Sequence, residues 1–103
     1  MQKEVKEFAN IMQGKLDKNK HKECDTLNQD GKGRTWKDCE PSWLLYRLRQ
    51  EALELELSLN NESPVEEVAK ECADVANFAM MIADVVGGLN LTTADYVQGL
   101  KPH

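Results

Sequence analysis

Residues 51–74 read EALELELSLNNESPVEEVAKECAD, and on them the fold turns. Apolar residues recur at helical spacing on both sides of a break at Asn60-Asn61. Ser63-Pro64-Val65-Glu66 carries the marks of a helix start: an N-cap serine, a proline in the first turn and a capping-box glutamate. The stretch predicts two helices joined over residues 60–63, a connection short enough to make an antiparallel hairpin. Each arm carries two acids three residues apart, Glu51 with Glu54 and Glu71 with Asp74. Such residues share one side of a helix, and the pairs lie about equally far from the turn, so the hairpin brings them level. Four carboxylates gathered in this way repel one another and resist desolvation, and a hard divalent cation is their natural counter-charge. The bland alternative is a set of solvated helix acids, but the helix holding Glu71 and Asp74 is apolar on nearly every other side.

Working outward, the earlier arm is expected to start at Pro41 or Ser42, proline suiting a first turn and serine an N-cap, and to run over 41–59. Leu44, Leu45, Leu48, Ala52, Leu55 and Leu59 form one apolar face, and Trp43, Tyr46, Leu53 and Leu57 another roughly opposite. Arg47, Glu51, Glu54 and Ser58 share a polar wedge between them, and Glu56 falls in the other wedge. A helix with two apolar sides needs two neighbours. The later arm is expected over 64–86, ending at Gly87-Gly88 in a left-handed cap, with enough apolar surface all round to be central. Upstream, Val5, Phe8, Ala9, Ile11, Met12 and Leu16 predict an amphipathic helix over 3–18. Residues 19–40 read as a loop and 93–98 as a short last helix. The expected fold is all-α, a single domain of a helical hairpin with an N-terminal helix, assembling into four-helix bundles as a homodimer or homotetramer.

The 103 residues, 41% hydrophobic and 30% charged, leave room for one modest core, and apolar surface left over is most easily covered by a second copy. A net charge of −5 argues against general affinity for nucleic acid or membrane surfaces. Cys24, Cys39 and Cys72 show no framework spacing and MQKEVKEF lacks a signal-peptide core, which together read as free thiols in a cytoplasmic protein. The apolar run over 75–86 is too short to span a bilayer.

The pattern ExxE followed by ExxD on the next helix, here Glu51-Ala52-Leu53-Glu54 and Glu71-Cys72-Ala73-Asp74, resembles that of the MazG-like all-α nucleoside triphosphate pyrophosphohydrolases. The likeness extends over Ala73-Asp74-Val75-Ala76-Asn77-Phe78-Ala79-Met80-Met81 and to Lys15-Leu16 and Trp36 upstream, covering roughly residues 8–86. Gln50 departs from it, since many such proteins carry a further glutamate there. The resemblance implies hydrolysis of a nucleoside triphosphate, often a deoxynucleotide, to monophosphate and pyrophosphate in nucleotide-pool house-cleaning. Glu51, Glu54, Glu71 and Asp74 would hold Mg²⁺, with Mn²⁺ as an alternative, one of them positioning the water instead. Asn77 would meet a phosphate or sugar oxygen and Trp36 the base; their competing readings are a hydrogen-bonded polar residue inside the bundle and an aromatic capping the core. Lys15, Asn19, His21, Lys22 and Arg34 are candidate phosphate contacts, against the alternative of solvated surface groups.

Other chemistries fit less well. A zinc site from His21, Cys24 and Cys39 lacks a fourth ligand, a di-iron bundle wants Glu-x-x-His pairs that neither His21 nor His103 provides, and Gly31-Lys32-Gly33-Arg34 lacks P-loop spacing. The remaining rival is a non-catalytic helical oligomerisation module of the same fold.

Overall fold

The computed structural model of the chain describes residues 1–19 and 36–90. Among the described residues there are three α-helices, α1 (Lys3–Asn19), α2 (Pro41–Asn60) and α3 (Val65–Val85), two 3₁₀ turns (Trp36–Asp38 and Gly88–Asn90) and no strand. The fold is all-α. The short helix expected over 93–98 lies outside the described residues, as does most of the expected loop over 19–40. Within that stretch Asn19 is helical and Trp36–Asp38 forms a turn.

Two expected caps differ from the observed ones. Pro64 stands at the N-cap of α3 with ψ 149°, and Glu40 at the N-cap of α2 with ψ 141°; neither helix has a side-chain cap. Pro41 forces Glu40, the residue before it, away from helical geometry, and at α3 Pro64 is itself extended; in each case the extended residue supplies the first accepting carbonyl. The Pro64 carbonyl accepts from the Glu67 and Val68 N–H groups and the Glu40 carbonyl from that of Leu44, so Ser63 and Ser42 are not caps and the Ser63/Glu66 box does not close. At the other end of α3, Gly87 has φ +93° and its N–H donates to the Asp84 carbonyl, a left-handed stop open to glycine without strain.

α3 is the hub, touched by α2, α1 and both 3₁₀ turns, as its nearly all-round apolarity requires. Cys39, Leu44 and Met81 form the buried core, ringed by half-buried Leu16, Trp36, Trp43, Phe78, Met80, Ile82 and Val85. α2 sits on α3 rotated away from the expected apolar face. Leu44 is 1% exposed and Leu48 and Leu55 are half-buried, but Glu51 is buried with them, while Leu45, Ala52 and Leu59 face outward. Tyr46, Leu53 and Leu57 are exposed as well. The polar wedge is thus turned to α3, and both outer apolar ridges are left uncovered.

Cys39 corrects the expectation of three free thiols: it is disulfide-bonded, whereas Cys72 is free. Spacing along the chain does not reveal which cysteines meet in space, and the thiol argument for a reducing compartment falls with that pairing. Among the described residues no helix is long and apolar enough to cross a membrane.

Candidate metal centre

Glu51 on α2 and Glu71 and Asp74 on α3 each offer a carboxylate oxygen, and these oxygens lie within 4.8 Å of one another. The helices supply the convergence. Asp74 stands one turn beyond Glu71 on one side of α3, and the rotation of α2 carries Glu51 to meet them. Glu51 is only 8% exposed. Its Oε2 and the Oε2 of Glu71 are buried and lack a hydrogen-bond partner, a costly arrangement for anionic oxygen unless a cation is supplied.

Two cations flank the trio. Arg47, one turn before Glu51 on α2, donates from Nη2 to Glu51 Oε1 at 2.9 Å, bonds Gln50, and lays its guanidinium 5.2 Å from the Phe78 ring centre. Lys15 reaches in from α1, with Nζ 3.3 Å from Asp74 Oδ2.

These cations do not fully offset the crowding. Burial pushes Glu51 up to about 7, aided by Glu54, which acts as hydrogen-bond acceptor and like charge, and by Asp74, against the opposing charge of Arg47. Glu71 is raised by burial and then by the charges of Glu54 and Asp74, and Asp74 chiefly by burial against the pull of Lys15. A site whose acids resist ionisation in the absence of metal is one that a divalent cation would stabilise strongly.

The sequence-predicted residues therefore divide. Glu51, Glu71 and Asp74 converge, and Lys15 joins them through Asp74. Glu54 acts electrostatically on Glu51 and Glu71 but is exposed and contributes no oxygen to the trio. Asn77, 3% exposed, donates from Nδ2 to the Met12 carbonyl at 3.0 Å, tying α1 to α3, and its Oδ1 is buried without a partner. Trp36 packs on the core and donates its indole N–H to Asp84 Oδ2 at 2.8 Å, where Lys37 also binds. Asp84 lies about 15 Å along α3 from Asp74 at helical rise. Lys22, His21 and Arg34 lie outside the described residues, and Asn19 closes α1.

Arg47 is the residue of the candidate site that sequence reasoning passed over. Its signal was its place four residues before Glu51 in the same polar wedge, the spacing of a helical ion pair.

Compared with family models, curated proteins and solved structures, the chain matches none.

Proposed function

We propose that the chain is a Mg²⁺-dependent nucleoside triphosphate pyrophosphohydrolase, releasing pyrophosphate and a nucleoside monophosphate from a ribo- or deoxyribonucleotide. The observation that carries this reading is the trio of carboxylates with buried, unpartnered oxygens on Glu51 and Glu71. Hard oxygen donors without nitrogen or sulfur suit Mg²⁺ or Mn²⁺, so the residues fit the ion that the MazG-like resemblance implies. Glu51, Glu71 and Asp74 would hold it; when bound, it supplies charge neutralisation and orientation for a polyphosphate.

The chain's own groups do the rest. Arg47 fixes Glu51 through one oxygen and leaves the other for the centre. Glu54, beside Glu51 yet outside the trio, is free to take the proton of a water whose oxygen attacks phosphorus as the bond to the pyrophosphate oxygen breaks. Asn77 holds α1 against the site, and Trp36 stands on the same helix hub as the candidate base platform.

We read α2 and α3 as an antiparallel hairpin that pairs its exposed ridges with another copy in a four-helix bundle. That surface favours the second reading, a non-catalytic oligomerisation module, because it would exist whether or not the acids work.

Pyrophosphate release from a panel of ribo- and deoxyribonucleotides, with and without Mg²⁺, separates the two. Metal-dependent turnover is expected, lost by at least about a hundredfold in Glu71→Ala and Asp74→Ala together with metal binding. Glu54→Gln is expected to lose turnover but keep metal binding. Full activity in the Glu71 and Asp74 variants would reject the metal assignment, and absence of turnover in wild type would reject the enzymatic reading.

A further inference from the structure

We infer that Lys15 is the resident counter-ion of the metal-free centre, a tethered ammonium that an incoming divalent cation displaces, so that α1 sets how tightly the centre takes metal. This rests on the metal reading above. The ligand oxygens come from α2 and α3, but one of the two cations facing them, Lys15, comes from the N-terminal helix. Lys15 and Asp74 are both largely enclosed, with side chains 20% and 18% exposed, and at 3.3 Å the ammonium stands in the volume a cation needs to reach Asp74 Oδ2. An ion entering there meets both a steric obstacle and a positive charge.

The two flanking cations are built differently. Arg47 is clamped by Glu51, Gln50 and the Phe78 ring, and a planar guanidinium held on three sides is part of the frame. Lys15 makes one ion pair among the described residues, at the end of a flexible four-carbon stem. It can swing out without α1 leaving, because α1 keeps a separate hold through the bond from Asn77 to the Met12 carbonyl. Its charge acts on Glu71 as well as Asp74, so its departure is felt across the trio.

The test is calorimetric titration of the metal-free full chain with Mn²⁺ alone, without nucleotide, in wild type, Lys15→Met, Lys15→Gln and Lys3→Met. Removing a positive charge a few ångströms from the ion should tighten binding by about fivefold or more in both Lys15 variants. Lys3→Met removes a charge at the exposed start of the same helix, where Lys3 pairs with Glu7, and should bind as wild type does. Thermal melts give a second readout that stands even where a variant is destabilised. Without metal the Lys15 variants should melt lower than wild type, and the rise on adding Mn²⁺ should be larger. Wild-type affinity or weaker in both Lys15 variants would overturn the role of Lys15 while leaving the metal reading intact. Absence of Mn²⁺ binding in wild type would overturn the metal reading itself.

Discussion

Glu51 is a carboxyl enclosed by protein, and that enclosure makes it hold its proton more tightly than it would in water. In the unfolded chain it titrates near 4.5 and in the folded protein near 7, so over that interval the native state keeps a proton the unfolded state has lost. The stabilisation this gives is complete below the unfolded value and disappears as pH rises through the folded one. Glu71 and Asp74 are displaced in the same direction. The melting temperature of metal-free protein is therefore expected to fall between about pH 5 and about pH 8. Glu51→Gln should flatten that fall, and Mg²⁺ at the alkaline end should restore what was lost. A melting temperature that rises over the interval would contradict the buried, crowded setting assigned to Glu51. Asp84 works in the opposite sense: hydrogen bonds from Lys37 and Trp36 hold it below the usual carboxylate range, so its contribution is present above the unfolded value and lost as acid titrates the folded group.

At the scale of the element, the turn between α2 and α3 carries a local conflict. The Glu62 N–H donates to the Leu59 carbonyl and that of Ser63 to the Ser58 carbonyl, the paired bonds of a Schellman stop, and Glu62 takes φ 53° to make them. A residue with a Cβ is strained there by roughly 1 kcal/mol, and Glu62→Gly should raise stability by up to that amount in denaturant unfolding, with no change in metal affinity. A loss of stability would mean that the Glu62 side chain contributes more than its backbone strain removes. Helix bounds were legible because prolines and glycines punctuate them: α2 opens at Pro41, α3 follows Pro64 and ends just before Gly87. The identities of the caps were not, since a serine beside a proline loses the cap position to the extended residue preceding the helix. The rotation of α2 was hidden for a different reason. Ranking faces by apolar content groups Leu45, Ala52 and Leu59 with Leu44, whereas the packed helix turns an acid inward and leaves those three outside. The same limit applies to the site. Spacing brought out both acid pairs, but only side-chain reach across helices separates Glu54 from the trio and brings in Lys15.

For the molecule as a whole, the exposed ridge of Tyr46, Leu53 and Leu57 leaves apolar surface uncovered on the single chain, with Leu53 55% and Leu57 50% exposed. On the proposed bundle, wild type should scatter light as a dimer or tetramer at micromolar concentration. Leu53→Glu and Leu57→Glu should shift it toward monomer while circular dichroism keeps its helical signal. A wild type already monomeric under those conditions would refute the bundle and leave the carboxylate trio untouched. One feature reaches across the assembly of helices without any such partner. The amide of Asn77 grips the main chain at Met12, so the bond records where the N-terminal helix stands along its axis and is blind to the identity of residue 12. Exchange of that methionine alters bulk but never deletes the acceptor. The address at which α1 docks is thus written at position 77, and α1's own letters can drift at that point without losing it.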